Sequence, residues 1–461
     1  MSQKPYEILK DKVAAATTIG ENSKDGLETF LTYDNPGDTY MRKWQEPPVI
    51  AKASGNKVWD ADGREYLDCC CVNAAIGHGD KRISATIREQ YMGLDHWFDF
   101  PTPERIKFID RVKKLSPGNY AKRVRLSLSN EDSLEMAIRA ARNYTRKPQI
   151  ITFHGDYHGT NASMAAISPA SDVHKWYNPV TAADHDTEFF PYAYCYRCPY
   201  GCEYPSCDMQ CVKSIDMLLS SCQTSMGNYA SGVNNVAAMI VEPIQGQSGC
   251  IVPPAEFLRG LRKLADKFGF LLIFDESDCG MGRTGSLFAS EISDVVPDIT
   301  VIGKALGAGL PMSACVARKE IFEDAAPGYI VGAYAGYSMG CAVGSKVFDI
   351  IEDDGLLENA KKVGAYMLKR AGDYKAQFEE VGNVSAAGVL MGIEYVTDKV
   401  SRARNEPLAA SIAEACKAAG ILVRYNGSNI IVFNPPLTFT EADVDKLFDT
   451  LTCVTKTLAK A

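Results

Sequence analysis

Three charged residues stand where short apolar runs stop, and their spacing is regular. The run 236–241 ends in Glu242-Pro243, the run 270–274 in Asp275-Glu276, and the run 299–302 in Gly303-Lys304. Neighbouring members are about 30 residues apart, the length of one strand-helix-strand unit. In open α/β sheets ligands bind beyond the carboxyl ends of the strands, so this spacing gathers two acids and a lysine on one rim. A lysine partly withdrawn from water there, beside Gly303, Gly307 and Gly309, can lose its proton near neutral pH and attack a carbonyl carbon as an amine. Taken singly, each residue also has a plainer reading: a turn or cap for Asp275-Glu276, a loop carboxylate for Glu242, a solvated helix start for Lys304. The shared spacing and strand position favour a site.

The elements that must position these residues follow from the pattern of apolar runs. Residues 149–153, 236–241, 270–274 and 299–302 read as buried strands. Between the second and third lies FLRGLRKLADKFG, with Phe257, Leu258, Leu261 and Leu264 on one helical face and Gly269 as a stop. Several such units in succession imply a mostly parallel sheet flanked by helices. Upstream, KVWDADGREYLD reads as a hairpin turning at Asp62-Gly63, after a polar and irregular stretch from residue 1 to about 45. Downstream, a helix in LLENAKKVGAYMLKRAG, strand-like VLMGIEY, helical LAASIAEACKAAG and strand-like NIIVF suggest a smaller α+β domain.

The chain has 461 residues, 46% of them hydrophobic and 23% charged, with a net charge of −8. That composition excludes disordered, collagenous and disulfide-scaffold classes. The negative charge is spread along the chain, so no nucleic-acid or anionic-membrane partner is expected. MSQKPYEILKDK carries no apolar leader core, and no run of about 18 apolar residues occurs. The expectation is a cytoplasmic protein whose fifteen cysteines are reduced. CYRCPYGCEYPSCDMQC groups Cys195, Cys198, Cys207 and Cys211, with Cys202 between them, at spacings that can close a tetrahedral metal site. Loop packing by reduced thiols is the simpler reading, so no metal is expected. In the run Cys69–Cys71, at least one thiol should be buried as a small hydrophobe.

VEPIQGQSGCIVPP, LLIFDESDCGMGRTG and PDITVIGKALGAGLPMSA, in that order, resemble the core of the class III aminotransferases, the ω-aminotransferase group of fold type I pyridoxal-phosphate enzymes. DADGREYLD, GHGDKRISATIREQ, GDYHG, IIEDDGLLENA and PPLTFTEADVDKL fit the same family. The resemblance implies an α/β fold with a large domain over 76–340, carrying a Cys-rich insertion at 195–211. Segment 1–75 and the C-terminal 341–461 would form the smaller domain. It implies pyridoxal 5'-phosphate as cofactor, bound to Lys304 as a Schiff base, and Asp275 against the ring nitrogen, where a carboxylate keeps the electron sink protonated. Tyr157 and His158 match the pair that packs over the ring, and Glu242 a carboxylate near the substrate. The implied reaction moves an amino group between an amine or amino acid and a 2-oxo acid, in a homodimer.

Several positions depart from the family pattern. Where relatives place a Ser-Gly-Ser/Thr turn around the cofactor phosphate, this chain has Ser129, Asn130 and Glu131, followed by Asp132, which with Ser129 suggests a capping box. A carboxylate facing a phosphate would be repulsive by about 1 to 4 kcal/mol per charge pair. Ala333 stands where relatives have a threonine, and Asp278 where a glutamine would meet the ring hydroxyl. Thr160 and Val432 occupy positions at which arginines serve 4-aminobutyrate or α-amino acid substrates, leaving Arg424 as the nearest carboxylate clamp, or else a surface charge. These departures keep two alternatives in view: an amino-acid racemase or epimerase, and a catalytically impaired homologue.

Overall fold

A computed structural model describes residues 19–33, 47–93, 100–169, 186–221, 224–425 and 428–459. The chain divides into two compact units, one made of Met1–Asp80 with Glu358–Ala461 and the other of Lys81–Leu357. The larger unit therefore begins and ends later than 76 and 340. Helix Ser338–Asp353 belongs to it because its apolar face packs on helices Lys81–Gly93 and Pro103–Leu115.

The larger unit is built on a seven-stranded sheet in the order Lys122–Ser127, Ser313–Arg318, Ile299–Ile302, Leu271–Asp275, Val236–Val241, Gln149–His154, Thr187–Pro191. Adjacent strands from Ile299–Ile302 to Thr187–Pro191 are parallel, and Ser313–Arg318 runs against both of its neighbours. All six residues of Val236–Val241 are buried, as expected for a central strand covered on both faces. Helix Ala255–Phe268 carries Phe257, Leu258, Leu261 and Leu264 into the core and ends at Gly269, left-handed at φ 67°. Each such side chain contributes about 1.5–3 kcal/mol by leaving water.

The smaller unit holds its own seven-stranded sheet, Ile50–Ser54, Lys57–Asp60, Glu65–Cys69, Ile421–Tyr425, Ile430–Phe433, Leu390–Tyr395, Val381–Ala387. The Asp62-Gly63 hairpin forms as read, with Gly63 at φ 82°. Glu65–Cys69 pairs in parallel with Ile421–Tyr425. Cys69 ends its strand fully buried. The segment expected to be irregular contains a helix, Glu21–Tyr33, which buries Leu27 and Leu31; the rest of that segment lies outside the described residues. Arg424 is not a surface charge. It sits buried within Ile421–Tyr425, on the strand that pairs with Ile430–Phe433 through Val432.

Candidate active site

Asp275 is the last residue of its strand and pairs in register with Val301 on the parallel neighbour, three residues before Lys304. Adjacent carboxyl ends thus present the acid and the amine on the same edge of the sheet. Gly303 is extended, and a Cβ there would stand 1.7 Å from Asn130 Oδ1, so a larger residue would force the Asn130 side chain aside. Lys304 follows at φ 47°, a left-handed conformation costing a lysine about 1–2 kcal/mol. Its ammonium contacts Asp278, whose carboxylate is almost wholly buried. Gly246 makes room for that carboxylate, since a Cβ at 246 would lie 2.3 Å from Asp278 Oδ2.

Asp275 Oδ2 accepts from His158 Nδ1 at 2.9 Å, and Oδ1 from the Ser277 amide at 3.1 Å. The imidazole is completely buried, and its other nitrogen faces Thr152 Oγ1 at 3.4 Å and Asp156 Oδ2 at 3.7 Å. Burial alone would push His158 down, but Asp156 and Asp275 together hold it up at about 10. Burial also pushes Asp156 above the usual carboxylate range, partly offset by His158. Tyr157 is half-buried, and its amide donates to Glu242 Oε2 at 2.8 Å, while Oε1 accepts from the Gly246 amide at 3.2 Å. Glu242 is raised well above the carboxylate range by burial, then by Asp156, Asp275 and Asp278. It is therefore the electrostatic junction between the His158–Asp275 pair and the Lys304–Asp278 pair.

The helix Asn130–Thr145 starts beside this cluster. Ser129 caps it, accepting from the Asp132 amide at 3.1 Å. Ser133 Oγ is hydrogen-bonded to Ser127 Oγ and accepts from Ser313 Oγ just behind the first turn. Glu131 behaves differently from its sequence reading. Its carboxylate turns to the loop after His158, accepting from the Thr160 amide at 2.7 Å, the Asn161 amide at 3.3 Å and Thr160 Oγ1 at 3.2 Å. Gly159 permits the approach, because a Cβ there would meet Glu131 Cγ at 2.3 Å. The charge expected to face a phosphate is satisfied by three donors, and the first amides of a 16-residue helix remain the natural anion donors.

Glu242, Asp275, Asp278, Tyr157, His158 and Lys304 thus come together, and Ser129, Asn130 and Glu131 form the adjoining helix start. Asp156, Thr152 and Gln245 were not singled out from the sequence. Asp156 lies two residues before His158 in GDYHG, and an acid beside the aromatic-histidine pair was the available signal. Glu276, next to Asp275, points elsewhere: its carboxylate accepts from the Ala289 and Ser290 amides at 2.5 and 2.9 Å, and burial raises it to about 7. Cys195, Cys198, Cys202, Cys207 and Cys211 line one small pocket with Tyr192, Tyr194 and Tyr204. Among the described residues they do not converge as a metal site; the one group of three ligand types within 4.8 Å is Asp68, Cys71 and His78. There Asp68 already accepts from His78 at 2.7 Å and from the Cys70 and Cys71 amides at 2.9 and 3.1 Å.

The donor set suits pyridoxal phosphate: an amine beside a buried carboxylate–imidazole pair, an aromatic side chain, and an open helix start. A family model described as aminotransferase class-III matches residues 40–454. The chain is 33% identical over 410 residues to a leucine/methionine racemase of Thermococcus litoralis, covering 88% of this chain and 90% of the relative. It is 30% identical over 402 residues to a probable 4-aminobutyrate aminotransferase of Bacillus subtilis, covering 86% and 89%. Among solved structures, an amine transaminase from an uncultivated Pseudomonas species in its pyridoxal-phosphate-bound form superposes with a TM-score of 0.81 at 27% identity, covering 90% of this chain and 95% of that one.

Proposed function

Because the chain belongs to the class III aminotransferase family, whose fold type I enzymes use pyridoxal 5'-phosphate, we propose that Lys304 holds this cofactor and moves protons in an amino-group transfer between an amine or amino acid and a 2-oxo acid. The observation that carries the reading is the position of Asp275 at, and Lys304 just beyond, the carboxyl ends of adjacent parallel strands, backed by the buried His158. When bound, the cofactor supplies an electrophilic carbon and an electron sink for charge developing at the substrate. Asp275 would face its ring nitrogen, with His158 fixing the carboxylate's orientation. Tyr157 would pack on the ring, and the amides of Asn130 and Glu131 behind the Ser129 cap would hold the phosphate.

Lys304, released by substrate, would take the proton from the substrate carbon as a general base and return it to a neighbouring carbon. Asp278 orients that amine, and Glu242, whose carboxyl is raised by burial, would stand near the substrate. A racemase reading differs only in where the proton returns, and the 33% identity to the leucine/methionine racemase favours keeping it in the test. We also propose a cytoplasmic homodimer. Exposed Tyr91, Met92, Phe100, Val331 and Tyr334 give the larger unit apolar surface for a second copy, which light scattering would detect. Among the described residues no helix is long and apolar enough to cross a membrane.

Purified protein given excess pyridoxal phosphate should develop a visible absorption band that Lys304→Ala abolishes. Amine donors with pyruvate should then yield alanine. Inversion of a single enantiomer without any oxo acid would replace transfer by racemisation, and a protein with no band would refute both.

A further inference from the structure

His158 is held in a way that fixes its charge. Nδ1 lies 2.9 Å from Asp275 Oδ2, an oxygen that can only accept from it. On the other side, Thr152 Oγ1 lies between the Ile167 carbonyl at 3.3 Å and Nε2 at 3.4 Å, and its single hydroxyl hydrogen serves one of the two. A doubly protonated ring donates at both places and leaves the hydroxyl hydrogen to the Ile167 carbonyl, whereas a neutral ring would draw that hydrogen away from the carbonyl. The buried Asp156 oxygen 3.7 Å from Nε2 favours the doubly protonated ring, and the His158–Asp275 pair as a whole then has no net charge.

That neutrality is a problem for the ring-facing role proposed above, in which a carboxylate must favour a ring cation. Asp156 supplies the missing charge: burial raises its carboxyl, and the facing imidazolium draws it back toward the ionised form. Its Oδ2 is buried, has no hydrogen-bond partner, and faces Nε2 at 3.7 Å, an ion-pair distance too long for a hydrogen bond. Its other oxygen is fixed by Gln245 Nε2 at 2.8 Å, and Gln245 is anchored to the His154 carbonyl at 3.0 Å and by paired backbone bonds with Ile251. Gly155, at φ 95°, lets the amide in, since a Cβ there would stand 2.6 Å from Gln245 Oε1. These contacts spend sequence on placing one carboxylate behind one imidazole.

We propose that Asp156 is a positioning residue, the third member of a buried Asp156–His158–Asp275 row that keeps His158 doubly protonated and gives the row one net negative charge toward the cofactor's ring nitrogen. The inference rests on the proposed placement of Asp275 for its last step, but the charge state of His158 does not. The other titratable groups around the row are Glu242, raised by burial, and Tyr192, whose hydroxyl donates to the Glu242 and Pro243 carbonyls. Neither supplies a compensating cation. Removing the Asp156 charge should therefore weaken every neighbouring cation in the same direction, imidazolium and ring alike.

The test is nitrogen-15 NMR of histidine-labelled full-length protein, before and after addition of pyridoxal phosphate, with resonances assigned by His158→Gln. In the unmodified chain both His158 nitrogens should remain protonated through pH 9. Asp156→Asn should raise at least tenfold the proton concentration at which His158 is half titrated. In the loaded protein, the pH-dependent change of the visible band should move the same way. A neutral His158 at pH 7 in the unmodified chain overturns the proposal, even if Asp156→Asn fails to fold. So does an Asp156→Asn titration equal to that of the unmodified chain. A protonated, Asp156-dependent His158 in a protein that never develops the visible band would instead leave the row standing and sink the cofactor reading.

Discussion

Asp278→Asn should make Lys304 a faster nucleophile, and the size of the effect follows from the site. Two opposite charges about 4 Å apart attract by roughly 4 kcal/mol at an effective dielectric of 20. The Asp278 side chain keeps 2% exposure and that of Lys304 23%, so part of this attraction is offset by the cost of burying the carboxylate. A net preference of about 1–2 kcal/mol for the ammonium remains, and removing it raises the unprotonated fraction at fixed pH roughly tenfold. The assay is stopped-flow absorbance on cofactor-free protein mixed with pyridoxal phosphate between pH 6 and 9, with Lys304→Ala as the blank. Capture by Asp278→Asn should be about ten times faster at pH 7 and converge with the unmodified rate at high pH. Equal rates across the range would show that the pair is incidental and that Lys304 is governed by other neighbours.

Glu131→Gln keeps the shape but replaces a charged acceptor of three donors by an amide. After allowance for its partial exposure, the loss is about 1 kcal/mol. Hydrogen exchange at the Thr160 and Asn161 amides should accelerate roughly fivefold; unchanged exchange would return Glu131 to facing the phosphate. Glu276 gives a stability signature: its carboxyl is raised to about 7 from an ordinary value of 4.5. A raised folded value means that its contribution is complete below about pH 4.5 and is lost as pH climbs through 7, up to about 3 kcal/mol. Urea unfolding of Glu276→Gln should therefore lose less stability than the unmodified chain between pH 5 and 8, and parallel curves would refute the assignment.

Strand ends were legible because a central parallel strand must be apolar throughout, so the first charged residue after each run marks the rim. Asp275, Glu242 and Lys304 were found in that way, without any knowledge of their partners. Glu131 was misread for a physical reason. The first turn of a helix fixes where amides point, but a side chain there can turn to either side, and its choice was made by Gly159 and by amides 29 and 30 residues away. Arg424 lies in the run ILVRY, which reads as a strand, yet whether its head reaches water depends on sheet neighbours remote in sequence. Asp156 required knowledge of the geometry around an imidazole, and composition carries none of it. Helix Glu21–Tyr33 could have been read from Leu27 and Leu31 on one face within polar surroundings.

The two sheets also dictate when the molecule can be completed. Among the described residues Lys122–Ser127 finds its only sheet neighbour in Ser313–Arg318, and Leu67 pairs with Ile421, about 350 residues downstream. As the chain leaves the ribosome, the first hairpin waits with an unpaired edge until Ile421 and its strand are made, and pairings of such separation close slowly. A growing chain therefore exposes sticky strand edges for most of its synthesis, and truncation near the C-terminus strips the N-terminal hairpin of its partner. Two strands joined across about 350 residues thus decide how long the growing chain carries an open edge.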